Sequence, residues 1–152
     1  MKKSALVLLT LATISYADFT RYPERGVVVD NKTKLVWQDN YDNKEDDSMT
    51  YASLEWSDAL LYCHNLTLDG GGWKLPNINE LKSIIVDKAT PTIDEVFKYT
   101  KSSKYWSSTT SMSGSNYAWF VDFVNGTTHY YINSSYHTKG NTYYVRCVRA
   151  GE

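Results

Sequence analysis

The chain has 152 residues, with 16 Lys and Arg against 17 Asp and Glu, and 14% of it is aromatic, including thirteen tyrosines. That length suits one domain. The near-balanced charge excludes the basic footprint that nucleic-acid binding calls for.

The first seventeen residues predict a signal peptide. Lys2 and Lys3 open it, Ala5 to Ile14 is a short, mostly apolar run, and Ser15-Tyr16-Ala17 fits a cleavage site. The run is too short for a membrane span, which needs about 20 apolar residues, and no later segment is long enough either. Asp18, not cysteine, follows the expected cut, so no lipid anchor is expected. Residues 18–152 are then one domain. Without Lys2 and Lys3 it keeps 14 basic against 17 acidic residues, a formal charge of −3. The expected location is exported: periplasmic, secreted or at the cell surface.

Asp18 to Arg25 shows no strong periodicity and reads as a lead-in. Gly26 to Asp30 and Leu35 to Gln38 are short β-favourable runs around a polar turn, which predicts a hairpin. Asp39 to Ser48 is a polar, acidic loop. Its carboxylates at Asp39–Asp47 suit calcium in kind, but the loop lacks the sixth-position glycine of an EF-hand loop. A solvated loop is the preferred reading. Trp56, Ala59, Leu60, Cys63 and Leu66 fall on one helical face, which leaves Asp58, His64 and Asn65 off it.

The stretch from Gly70 to Leu81 then sets a turn, a stop and a helix start. Three glycines allow positive φ. Trp73 and Leu75 are anchors two residues apart. Pro76 keeps Leu75 out of the α region. Asn77 and Glu80 have capping-box spacing. A second helix is expected from Ile78 to about Val86, with Leu81, Ile84 and Ile85 inward. Asp87 to Ser103 reads as a loop.

From Lys104 the period changes to two. Strands are expected at Tyr105–Thr110 and Tyr117–Val124, the latter with Trp119, Val121 and Phe123 on one face. Asn125-Gly126 marks a tight hairpin, and Thr127 to Ile132 returns from it. Thr142 to Arg149 is the last strand. It carries Tyr143, Val145 and Cys147 on one face and Tyr144, Arg146 and Val148 on the other. Hairpin, two helices and several antiparallel strands make the fold class α+β, with long polar loops.

Cys63 and Cys147 are the only cysteines. In an exported protein a single disulfide is the simplest use of an even pair. A metal site would need more Cys or His at ligand spacing, which His64, His129 and His137 do not supply. No metal or other cofactor is expected.

Taken in order, Trp56-Ser-Asp-Ala-Leu-Leu-Tyr-Cys63, Gly72-Trp-Lys-Leu-Pro76, Glu80-Leu81, Tyr105-Trp-Ser-Ser-Thr109, Ala118-Trp-Phe-Val-Asp-Phe123 with Asn125-Gly126, and Val145-Arg-Cys-Val-Arg149 resemble the Lcl C-terminal-like domain, a bacterial family. The resemblance runs from Gly26 to Arg149. It implies a relative of the C-type-lectin-like fold, with two helices and a twisted antiparallel sheet, and matches Cys63 and Cys147 to the family's cysteine positions. Members are typically exported or surface proteins, and the founding case is the tail of a collagen-like adhesin that binds sulfated polysaccharides. The family turn usually reads Asp-Trp-Arg-Leu-Pro. Here Gly72 and Lys74 replace the acid and the arginine, so an acid–base pair bracing this turn is expected to be missing.

The expected function is therefore a non-catalytic module that binds glycans or sulfated polysaccharides. Flat aromatic rings and convergent polar groups point to His129, Tyr130, Asn133, Tyr136, His137, Lys139 and Tyr144 as ligand-binding residues. The sequence lacks the Glu-Pro-Asn, Gln-Pro-Asp and Trp-Asn-Asp triplets of calcium-dependent lectins, so calcium-independent binding is expected. The alternative is an envelope protein-interaction or structural module. An enzyme related to formylglycine-generating enzymes, which use redox cysteines, is a more distant reading. Asp122 and His129 could meet across the Asn125-Gly126 hairpin, but no Ser/His/acid constellation appears.

Overall fold

A computed structural model describes residues 18–40, 53–86, 89–129 and 138–151. The expected signal peptide, the acidic loop beyond Asn40, and Tyr130, Asn133, Tyr136 and His137 lie outside the described residues. Among the described residues no helix is long and apolar enough to cross a membrane.

The domain is α+β, built on two sheets. One has the order β1-β2-β3-β9, from β1 (Phe19–Tyr22), β2 (Val27–Asp30), β3 (Leu35–Gln38) and β9 (Val148–Ala150), and is antiparallel throughout. The other has the order β4-β8-β5-β6-β7, from β4 (Ser53–Leu54), β8 (Tyr143–Tyr144), β5 (Lys104–Thr110), β6 (Ala118–Asp122) and β7 (Thr127–His129). Its β5–β8 pair is parallel at Tyr105 and Tyr144. Helix α1 spans Trp56–Asn65 and α2 spans Ile78–Lys82.

Strand alternation feeds two separate cores, because successive side chains point to opposite faces. Val27, Val36, Trp106, Ala118, Phe120, Val145 and Cys147 join Ala59 and Cys63 of α1. Val28, Trp37, Tyr105, Val121, Phe123 and Val148 join Leu81 of α2 and Ile84 just beyond it. Both faces of β6 are thus buried in part. Trp119, expected inward with Val121 and Phe123, is only half-buried, while Phe120 on the opposite face is 1% exposed.

Helix α1 matches its apolar stripe, with Ala59 and Cys63 buried and Asp58, His64 and Asn65 exposed. Cys63 and Cys147 form a disulfide across 84 positions. The turn ahead of α2 uses three consecutive positive φ values, 89, 81 and 78°, at Gly70, Gly71 and Gly72. Trp73 and Leu75 are buried, and Lys74 between them exchanges both backbone hydrogen bonds with Val148. The Asn77–Glu80 capping box forms in both directions.

Four expectations about the secondary-structure elements change. Asp18 to Arg25 is not a mere lead-in, since β1 pairs with β2 from Phe19↔Asp30 to Tyr22↔Val27. The second helix stops at Lys82 rather than about Val86, because Ile85 bridges to Ile93 and the Val86 N–H donates to the Thr92 carbonyl. The β6–β7 hairpin has a four-residue loop, Phe123 to Gly126, not a two-residue one. Asp122 and Thr127 are the last paired residues, and Phe123 drops into the core. The last strand is two strands in different sheets, and Cys147 at the break donates its N–H to Gln38 Oε1.

Asp39 is the largest departure. Read as the start of a solvated acidic loop and a calcium candidate, it is fully buried. Arg21 Nε lies 2.6 Å from its Oδ2, Arg146 Nη1 lies 3.4 Å from its Oδ1, and the Lys98 and Tyr99 N–H groups also donate to it. Its oxygens are engaged by the protein's own donors.

Removing one partner of a buried ion pair leaves the other charge uncompensated. Asp39→Ala is therefore expected to lower unfolding free energy by about 3–5 kcal/mol in urea titration. The double variant Cys63→Ala/Cys147→Ala should lose about 4–5 kcal/mol, the chain-entropy value for so long a loop. Equal urea midpoints for variant and parent would contradict either expectation.

Candidate functional site

The α1 side of the second sheet carries an aromatic row. Alternation sets Trp106 on β5, Phe120 on β6 and Tyr143 on β8 toward the same core. The Tyr143 ring lies 4.3 Å from that of Trp106 and 5.1 Å from that of Phe120. Trp106 and Phe120 are buried, whereas Tyr143 is half-buried. Two residues before Trp106, and so on its side of β5, Lys104 places Nζ 5.6 Å from the ring centres of both Phe120 and Tyr143. Asp122 is the register partner of Lys104. Burial raises the Tyr143 phenol above its ordinary pKa and the Asp122 charge adds to this, against a hydrogen bond with Asn141.

A second lysine sits on an aromatic ring at the start of α1. Lys139 Nζ is 3.7 Å from the centre of the Trp56 ring and donates to Thr110 Oγ1 at 2.9 Å. The Lys139 backbone fixes it there: its N–H donates to the Asn116 carbonyl, and its carbonyl accepts from the Trp56 N–H. Trp56 is itself held by an indole N–H bond to the Ser107 carbonyl and packs against the same aromatic core. Burial pulls the Lys139 pKa below the usual lysine value. Among the described residues, neither Lys104 nor Lys139 has a carboxylate ion-pair partner. Each offers an ammonium charge on an aromatic support, an arrangement worth about 0.5–1 kcal/mol at exposed sites.

Of the expected ligand residues, Lys139 belongs to this face. Tyr144 does not. It packs on the opposite core, with its ring 5.6 Å from that of Tyr105. His129 ends β7 with Phe120 as its backbone partner, while Asp122 pairs with Thr127, so the register does not set Asp122 opposite His129. Lys104, Trp56 and Tyr143 were missed as site residues. Alternation around Trp106 was the available signal for Lys104, and the predicted face shared with Cys147 was the signal for Tyr143.

The glycine turn carries a separate cluster. Asp69, at φ 48°, accepts from Arg25 Nε and Nη2 at 2.9 and 2.8 Å and also from Arg149 Nη2. The Arg149 guanidinium lies over Trp73, 5.3 Å from its centre. Lys74 meets Glu80 at 2.8 Å. The brace expected to be missing is thus present, supplied by Asp69 and Arg149 instead of positions 72 and 74. The Arg25 hydrogen bonds hold the Asp69 carboxyl below its ordinary pKa, against partial burial and with help from Arg149.

Among the described residues no group of three His, Cys, Asp or Glu side chains is placed to hold a metal ion. Both cysteines are consumed in the disulfide.

The sequence profile of the Lcl C-terminal domain matches residues 26–149. The chain belongs to this family. A search of curated proteins returns no significant match.

Because the folded Asp69 pKa is depressed, its contribution to stability is present above the unfolded value of about 3.9 and fades as pH falls through the folded value. The stability gap between parent and Asp69→Asn, followed by thermal melts from pH 7 to pH 2, should therefore narrow below about pH 4. A pH-independent gap would contradict this assignment.

Proposed function

We propose that this family member is an exported, non-catalytic binding module for glycans, with sulfated polysaccharides as the preferred class, acting at the cell surface or in the envelope and without calcium. The observation that carries the reading is the pair Lys104 and Lys139. Both ammonium groups rest on aromatic rings and lack a carboxylate partner among the described residues. A sulfate ester keeps its charge at any physiological pH, so two such cations suit it, while the half-buried Tyr143 and Trp56 offer ring surface to the sugar. Asn141, Thr110 and Asp122 bring amide, hydroxyl and carboxylate groups to the same rings and lysines. His129, Tyr130, Asn133, Tyr136 and His137 remain proposed ligand residues; the His129 backbone pairs with Phe120, and His137 precedes Lys139 by two positions in sequence.

A C-type-lectin-like scaffold is supported by three features. The first and last described strands share one sheet, helices flank the sheets, and a disulfide ties α1 to the chain between β8 and β9. Calcium-independence is supported by the missing sequence triplets and by the engagement of Asp39 with arginines. Export is supported by the N-terminal sequence pattern and by the disulfide.

The parent domain is expected to be retained on immobilised heparin and to elute earlier at rising salt, as screening weakens exposed charge pairs. Lys104→Ala and Lys139→Ala should each weaken binding about 1.5- to 5-fold, the range of exposed ion pairs, with arginine at either position restoring part of it. Chelator should leave retention unchanged. No retention of the folded parent on any polysaccharide would overturn the reading.

A further inference from the structure

The outer side of α1 differs chemically from the lysine face. Asp58, Leu61, Tyr62 and Asn65 recur at i, i+3, i+4 and i+7, which aligns them on one stripe. With Leu54 of β4, and Leu66 and Thr67 past the helix end, they line an open groove of about 530 Å³. That lies within the range of ligand-binding clefts. Leu61 is 57% exposed, one of the few large apolar side chains so placed among the described residues. The Tyr62 ring is anchored from behind, since its hydroxyl accepts from Gln38 Nε2 at 2.8 Å. Asp58 carboxylate, Asn65 amide and Thr67 hydroxyl make no hydrogen bond or ion pair with the described residues. An acid in the first helical turn is favourable for the helix by itself. That accounts for Asp58 but not for the open leucine beside it.

Charge identifies the occupant. Among the described residues 53–67 the acids are Glu55 and Asp58, lysine and arginine do not occur, and Asp58 lines the groove itself. Helix α1 contains no lysine or arginine. A sulfated polymer would meet like charge here. The geometry points to a docking groove for a basic segment of a partner protein, in which a lysine or arginine stem lies along Leu54, Leu61 and Leu66 and its cation meets Asp58. Long basic side chains suit such a site, because their apolar stems cover hydrocarbon while the charged tip stays at the rim.

The test is an amide NMR titration of the disulfide-bonded domain with a capped peptide of alternating leucine and arginine. A leucine–glutamate peptide and an uncharged hexose oligomer serve as parallel probes. The basic peptide should shift Asp58, Leu61 and Asn65, and the other two should not. Asp58→Asn should weaken it about 1.5- to 5-fold, as loss of an exposed ion pair would. Leu61→Ser should weaken it as well, and both variants should keep the parent's heparin elution. Unchanged binding in Asp58→Asn, equal response to the acidic peptide, or shifts of these amides by the oligosaccharide would overturn the proposal.

Discussion

Asp39 and Arg146 meet with neither side chain exposed. Taken alone such a pair is a poor source of stability, because removing both charges from water costs as much as their attraction returns. The number of donors and acceptors gathered around it changes the balance. Asp39 takes two arginines and two backbone N–H groups. Arg146 gives Nη1 to the Gln38 carbonyl at 2.6 Å, and Nη2 to the Tyr99 carbonyl and Thr100 Oγ1 at 2.7 and 2.8 Å, while its guanidinium lies over Phe97. The cluster therefore joins β1, the end of β3, the 97–100 segment and the break between β8 and β9. Those are pieces that no single ladder connects.

The disulfide extends this junction to α1. Gln38, next to Asp39, donates its backbone N–H to the Cys147 carbonyl and accepts from the Cys147 N–H through its side chain. The same side chain donates to the Tyr62 hydroxyl on α1, one position before Cys63. A covalent bond and a buried amide thus fix the helix to the chain beside Arg146. The Arg149–Trp73 stack and the Lys74–Val148 bridge fix the glycine turn to the following strand. Residues 143–151 therefore act as a spine to which both sheets, helix α1 and the glycine turn ahead of α2 are tied.

What the sequence made legible follows from range. The capping box, the β2–β3 hairpin and the α1 stripe are decided by residues within a few positions of one another, and they were readable. The disulfide was readable because only two cysteines occur. Strand β1 was not, because FTRY has no run of apolar alternation. It is held by pairing with β2, by Arg21 on Asp39, and by Phe19 edge-on to Phe97. The burial of Asp39 was not readable either, since its partner Arg146 lies 107 positions away and its neighbours in sequence are polar. In the candidate site, Lys139 was legible from composition. Lys104 needed the knowledge that its side of β5 borders Phe120 and Tyr143, which only the strand order supplies. Tyr144 lies on the opposite core, which its alternation with Tyr143 already implies.

Helix α1 links the lysine face to the groove at Asp58 and Leu61. Its inner stripe packs Ala59 and Cys63 against the aromatic core, and Trp56 at its first turn holds Lys139. Its outer stripe presents Asp58 and Leu61. One surface presents Lys104 and Lys139 on aromatic rings, the other Asp58 beside leucines, so the two differ in the sign of the charge they offer. Both nevertheless depend on how α1 is set, and the disulfide with the Gln38–Tyr62 bond is what sets it. The Cys63 bond is therefore more than a constraint on the unfolded chain. It fixes the helix whose two sides keep surfaces of opposite charge apart.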